Sequence, residues 1–360
     1  MRFKRTAFRL LACLLVMSMA GCKQVENEPV SSLPVSSAPV SSEPVSSEPA
    51  EPQNLNPLTG EADLSDAMIG KRPVSFIINN SHNAWPHMGI SQADLVYEWP
   101  YEGSQTRIMS IYSDYTKVGT VGGLRSARHD FVELSLPFHT LFVHWGGSYA
   151  GYEWLDIYDV DHLDGNKSTG CFYRDEDRLN SGYSLEHTAM LATSGLPKAI
   201  EENQIDMNWD TPDAYQFNKE ATPIAFSDTA ANEISVQIAS GVECIFRYDA
   251  ATAQYSKWEF GEQDIDGSNN APVMLDNVFV LYANITGYGD DPVLRDLHLE
   301  DGGTGYYITR GTKTAVNWSK PSPNDRIRYT LPSGEELTVN TGNSWVVFTY
   351  NDEANNTTFS

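Results

Sequence analysis

Arg107-Ile-Met-Ser-Ile-Tyr112, then Gly119-Thr-Val-Gly-Gly-Leu-Arg125-Ser-Ala-Arg128-His129-Asp130, then the run on to Leu136 read in that order as strand, glycine-rich turn and helix. The first run is rich in β-branched and apolar residues and short enough to be one strand. From Ala127 the apolar residues fall at Ala127, Phe131 and Leu134, and again at Val132 and Leu136, which is a helical stripe. A strand that feeds a helix through a glycine turn is the repeating unit of a mixed α/β fold. Before and after this stretch, Val74-Ser-Phe-Ile-Ile78, Asp94-Leu-Val-Tyr-Glu98 and Thr140-Leu-Phe-Val-His144 read as further strands. Tyr149 to Tyr158 and Leu185 to Ala192 read as helices.

Beyond about residue 225 turns multiply and strands take over. Cys244-Ile-Phe-Arg-Tyr248 and Tyr255-Ser-Lys-Trp-Glu-Phe260 form a hairpin pattern. Val278 to Ala283, Gly305 to Thr309, Thr314 to Trp318 and Trp345 to Thr349 continue it, separated by turns such as Asp301-Gly-Gly-Thr-Gly305. The expected class is therefore α+β / α/β: a mixed α/β domain over 57–225, then a smaller, mostly-β domain over 226–360. Roughly 300 residues exceed what one core usually serves, so two separately packed domains are expected, dividing between about 215 and 235.

The N-terminus is of another kind. Residues 1–21 carry four basic and no acidic residues, an apolar run from Leu10 to Met19, and then Ala20-Gly21-Cys22. This is the pattern of a secretory signal, too short to span a bilayer, which needs roughly 20 apolar residues. Met19-Ala20-Gly21-Cys22 resembles the lipobox of bacterial lipoproteins, which implies cleavage before Cys22 and lipidation there. The lipid bilayer, reached through the Cys22 anchor, is the first expected partner. From 22 to 56 the repeats at Pro29, Pro34, Pro39 and Pro44, each followed by Val-Ser-Ser, forbid helix and sheet and bury nothing. They make a spacer reaching up to about 100 Å.

Charge narrows the remaining partners. The whole chain has 24 basic and 48 acidic residues, and without residues 1–21 the formal charge is −28. A surface of that sign repels nucleic acid, so none is expected as a partner. Of four cysteines, Cys171 and Cys244 remain after Cys13 is removed and Cys22 is lipidated. They lack CxxC spacing and read as two separate buried thiols.

Several ordered motifs carry a resemblance. Ser91-Gln-Ala-Asp-Leu-Val-Tyr-Glu98, Glu102-Gly-Ser-Gln-Thr-Arg107, Arg125-Ser-Ala-Arg128 and His144-Trp-Gly-Gly-Ser148 come first. Gly305-Tyr-Tyr-Ile, Trp318-Ser-Lys320 and Leu337-Thr-Val-Asn-Thr-Gly342-Asn-Ser-Trp345 follow. Together they resemble the YerB-like lipoproteins of Gram-positive bacteria, a family with a two-part domain of unknown function. The resemblance implies fold organisation and location, and no activity.

Three motifs could carry chemistry. In the glycine turn, Arg125 and Arg128 are three apart at a helix start, with Ser126 placed to cap it; unpaired N–H groups there suit a carboxylate, phosphate or sulfate. The same arginines could instead pair with Glu98 and Glu102 and lock the fold. His144-Trp-Gly146-Gly147-Ser148, where a strand gives way to a helix, would supply further contacts through His144, Gly146 and Gly147, or simply a tight turn. It also resembles a nucleophile elbow with Ser148, and His187 lies downstream. Glu98 and Glu102 at a strand end could act as paired acid and base beside Tyr97, Trp99 and Tyr101. No metal site is expected, since there is no HExxH and Asp159-Val-Asp161-His-Leu-Asp164 departs from calcium-loop spacing. No cofactor is expected either. Two function classes stay open: a tethered module binding a small anionic or glycan ligand, and an envelope hydrolase using Glu98, Glu102, His144, Ser148 or His187. Protein partners stay unnamed.

Overall fold

The computed structural model describes residues 53–360, apart from 168–169, 210–214, 219–226, 228, 292 and 353–355. The expected signal peptide, Cys22 and most of the tether lie outside the described residues. The end of the expected tether is already part of the fold: Asn56 is buried, and its Oδ1 accepts from the Leu58 N–H and the Ser113 hydroxyl.

The first half supplies β1 (Val74–Asn79), β2 (Leu95–Glu102), β3 (Gln105–Tyr112), β4 (Thr120–Gly122), α1 (His129–Ser135), β5 (Leu141–His144), α2 (Tyr149–Ile157) and β6 (His162–Asp164). β3 is antiparallel to β1 and to β2, while β1, β5 and β6 are parallel, so β1, β2, β5 and β6 all run one way. All six residues of β1 are buried. That is what a near-continuous apolar run means: a strand covered on both faces rather than one.

The strand-rich second half does not form a separate body. Its strand Ser344–Tyr350 lies parallel against β2, and Asn277–Ala283 lies parallel against Ser344–Tyr350. Gly303–Thr309, Thr312–Ser319 and Arg328–Thr330 extend the same sheet, giving ten strands. The expected mixed α/β region followed by a mostly-β region stands. The expected separate packing of the two is corrected, because one sheet runs through both. Trp345, Val347, Val278 and Val280 complete the apolar face begun by Phe76, Ile78, Val96 and Ile108, and neither half could bury that face alone.

The large sheet is covered on both sides. On one, Ile77, Tyr97, Met109 and Phe142 meet Phe131, Val132 and Leu134 of α1 and Leu155 of α2. On the other, the sheet containing Glu233–Ala239, Val242–Asp249 and Gln254–Glu259 supplies Ile234, Val236, Cys244, Phe246 and Tyr255. The hairpin between the last two strands is as read from the sequence. Cys171 and Cys244 are free and buried.

Leu185 to Ala192 is not the expected helix. Leu185–His187 is one 3-10 turn, and Ala189–Ala192 is a strand between β4 and Phe172–Arg174. Backbone pairing on both sides overrides the helix preference of Ala-Met-Leu-Ala.

Candidate functional site

The carboxyl ends of parallel strands are where open α/β sheets place ligands. Here that edge carries Glu102 at the end of β2, Arg107 opposite Asn79 and Trp99, and His144 at the end of β5. The glycine turn is sewn to the same edge: the Arg125 N–H donates to Ile77 O, and the Trp145 N–H donates to Arg125 O.

Arg107, Arg125 and Arg128 gather at this edge. Arg125 Nη1 lies 3.1 Å from Glu186 Oε2, and Arg128 Nη2 lies 3.4 Å from Glu102 Oε2. Those carboxylate side chains are 55% and 40% exposed, while the arginines are 23% and 11% exposed. Such half-exposed pairs contribute little, about 0–1 kcal/mol each. Arg107 differs. It is 1% exposed, and among the described residues no carboxylate lies within 4.0 Å of it. Its Nη1 donates to Ser126 O at 3.1 Å, and its Cζ stands 3.7 Å from the centre of the Tyr101 ring. Arg128 Cζ is 5.2 Å from the same ring. The Nε–H groups of all three arginines have no acceptor among the described residues. Burial, and then the Arg128 and Arg125 guanidiniums, pull Arg107 down to about 9, against the opposing pull of Tyr101 and Glu102. Arg107 therefore remains charged at neutral pH.

The other expected site residues are placed differently from their proposed roles. Ser126 does not cap α1; Arg128 stands at that position, and the Ser126 hydroxyl reaches Trp145 O at 3.4 Å. His144 is fully buried. Its Nδ1 donates to Gly146 O at 2.6 Å, so its Nε2 accepts from His162 Nδ1 at 2.8 Å, and both nitrogens are used inside the fold. Burial pulls its pKa down to about 4, so it adds no positive charge to the cluster at neutral pH. Gly146 has φ 76°, and a Cβ on Gly147 would sit 2.9 Å from the Tyr152 ring. These glycines shape a turn.

Ser148 is the N-cap of α2, accepting from Gly151 N at 3.0 Å. His187 Nδ1 is 2.8 Å from Asn79 Nδ2, and its Nε2 is 3.6 Å from Glu186. Neither Ser148 nor Glu98 hydrogen-bonds to His144 or His187 among the described residues. The pairing on which the hydrolase reading rests is absent there.

Glu98 belongs to another assembly, one the sequence did not suggest. It is fully buried, and Asn80, Thr106 and Trp345 all donate to it. Asn80 also donates to Glu259. Lys257 Nζ lies 2.5 Å from Glu259 and 3.4 Å from Asp264, which faces His87 at 3.4 Å. Burial, followed by the Glu259 charge, raises Glu98 to about 8. Burial works against Lys257, but Glu259 and Glu98 hold it above its usual value. This network joins β2 to strands more than 150 residues away.

Residues 58–206 match the family model "Protein of unknown function (DUF3048) N-terminal domain", and 234–346 match the corresponding C-terminal domain. A Bacillus subtilis (strain 168) protein named as a candidate lipoprotein, YerB, is 28% identical over 299 residues, covering 81% of this chain and 84% of its own. The crystal structure of the YerB protein from Bacillus subtilis superposes with a TM-score of 0.73 at 25% identity, covering 85% of this chain and 99% of that one. Among the described residues no helix is long and apolar enough to cross a membrane.

Proposed function

The chain belongs to the YerB-like family, whose two domains of unknown function it carries in order, and we propose that it is a lipoprotein tethered through Cys22 on the extracytoplasmic face of the membrane, holding a small anionic ligand of the cell envelope at Arg107, Arg125 and Arg128. The ligand presents a phosphate or carboxylate, free or borne on a glycan. One observation carries this reading: Arg107 is a buried guanidinium without a carboxylate partner among the described residues. An unpaired buried charge is costly unless something compensates it. Its neighbours are two more arginines whose partners, Glu102 and Glu186, are exposed enough to swing away. An incoming anion would replace two weak pairs and supply the missing third.

The global charge of −28 repels such a ligand only weakly at short range, since the Debye length is about 8 Å at physiological salt. A charge-assisted arginine contact contributes on the order of 1.5–3 kcal/mol, so losing one weakens binding by roughly 10- to 150-fold. The test has two arms. Cys22→Ala should leave an uncut precursor or release protein from washed membranes; unchanged processing and retention would refute the anchor. Thermal-shift titration of the full chain with pyrophosphate, glycerol phosphate oligomers and muropeptides should raise the melting temperature with at least one of them. No saturable shift with any would refute the anion site.

A further inference from the structure

Immediately after Arg128 the chain builds a second constellation. His129 opens α1, Asp130 follows it, and Asp296 lies on the strand Arg295–Leu297. His129 Nε2 is 3.2 Å from Asp130 Oδ2 and 3.2 Å from Asp296 Oδ1, and the three atoms lie within 4.8 Å of one another. His129 and Asp130 are 3% and 1% exposed.

Protein hydrogen bonding does not account for this convergence. A single Nε2–H can point well at only one acceptor, and it is the Asp296 contact that has hydrogen-bond geometry. Asp130 Oδ2 is buried with no hydrogen-bond donor among the described residues, and His129 Nδ1 has no acceptor to fix the ring's tautomer. No Lys or Arg side chain among the described residues lies within 4.0 Å of Asp130 or Asp296. Lys320, the nearby ammonium, is held by the carbonyls of Ser322, Pro323 and Asp325 and by Glu133. The buried group Glu98, Cys244 and Glu259 makes the contrast. It too has three converging donors, but Lys257 stands 2.5 Å from Glu259 and already supplies the cation.

We propose that His129 Nε2, Asp130 Oδ2 and Asp296 Oδ1 are the three protein ligands of a divalent first-row transition ion of the zinc class. Two donors about 2.1 Å from one ion at near-tetrahedral angles stand roughly 3.2–3.4 Å apart, which matches both His129 contacts. One imidazole and two carboxylates suit zinc or manganese better than calcium, which takes six or more oxygens. Asp130 is held as metal-binding carboxylates usually are: its Oδ1 accepts from the Leu297 N–H at 2.9 Å, aiming Oδ2 at the site. His129, Asp296, Tyr288 and Glu300 line a cavity of about 370 Å³. Two of the three ligands, His129 and Asp296, face that cavity, which leaves a position open to water or a small molecule. The proposal goes beyond the anion site, for it uses none of Arg107, Arg125 or Arg128.

The experiment is calorimetric titration of the chelator-stripped full chain with Zn²⁺, Mn²⁺, Mg²⁺ and Ca²⁺. Zn²⁺ is expected to saturate at one equivalent with a Kd on the order of 1 µM or tighter, ahead of Mg²⁺ and Ca²⁺. Asp296→Asn, which changes a partly exposed side chain, and His129→Gln should each weaken it by about 10-fold or more. In the unmodified chain, Co²⁺ should give the visible absorption of a four- or five-coordinate site bearing nitrogen and oxygen ligands, independently of whether the variants fold. Failure of both Zn²⁺ and Mn²⁺ to bind at one equivalent would overturn the proposal. So would Zn²⁺ binding that Asp296→Asn and His129→Gln leave unchanged, or a Co²⁺ spectrum of a hydrated ion.

Discussion

Two clusters of charge in this molecule are built on opposite plans. Around Lys257 every charge is sealed from water and answered: Lys257 sits between Glu259 and Asp264, Asp264 faces His87, and Glu98 is met by Asn80, Thr106 and Trp345. Around Arg107 three charges of one sign stand together, two answered by half-exposed carboxylates and the third by none among the described residues. The first plan fixes how the two halves of the chain meet. The second leaves an electrostatic deficit at the carboxyl-end edge of the sheet, the edge at which open α/β sheets generally bind ligands. Charge alone does not mark a site; the mark is charge that the fold does not itself satisfy.

The largest effect comes from breaking the sealed cluster. Lys257→Met strands Glu259 and Asp264 without their cation, and removing one partner of a buried pair costs about 3–5 kcal/mol. Urea denaturation should show a loss of that size. A loss below about 1 kcal/mol would mean that the network is not the lock it is taken to be.

A second effect should appear in pH dependence. Glu98 ordinarily titrates near 4.5 and is raised to about 8 in the fold. A carboxyl raised in this way holds its proton more tightly in the folded state, so its contribution is full below about pH 4.5 and is lost as pH rises toward 8. Unfolding midpoints across that window should fall with pH in the unmodified chain and fall less in Glu98→Gln, with the two converging at the acid end. An unchanged slope would remove Glu98 from the account.

The smallest effect belongs to the open cluster. Glu186→Gln removes a half-exposed partner of Arg125, so stability should change by no more than about 1 kcal/mol. Affinity for pyrophosphate should rise, because a competitor for Arg125 is gone. A weaker interaction with pyrophosphate would mean that Glu186 supports the site instead of guarding it.

Much of the fold was legible because it is local. The runs at Val74, Arg107, Val278 and Trp345 read as strands from their own residues, and the stripe from Ala127 read as a helix. What joins them was not legible. Ser344–Tyr350 pairs with β2 almost 250 residues earlier, and no periodicity records a partner. For the same reason the change in character near residue 225 suggested separate domains where the backbone forms one sheet.

At the site, Arg125 and Arg128 stood out because a glycine turn presents them. The possible Arg128–Glu102 pair was readable from nearby motifs; the Arg125–Glu186 pair, 61 residues apart, was not. Arg107 reads from the sequence as the first residue of a strand. The one available signal was its charge in an otherwise buried apolar run. Glu98 carries no sign that it faces the second sheet, since Lys257 and Glu259 reach it only through tertiary packing. His129 and Asp130 stand side by side in the turn motif, but their third companion, Asp296, comes from a strand 166 positions on from Asp130.

The most direct measurement is calorimetric titration of the full chain and of Arg107→Met with pyrophosphate, alongside the melting temperature of each. Here the two plans of charge make opposite demands. If the Arg107 cluster is a deficit awaiting an anion, Arg107→Met should leave stability unchanged or raise it while weakening pyrophosphate by roughly 10-fold or more. If Arg107 is instead a structural charge of the Lys257 kind, the substitution should cost several kcal/mol and leave pyrophosphate affinity unchanged. That second result would contradict the account.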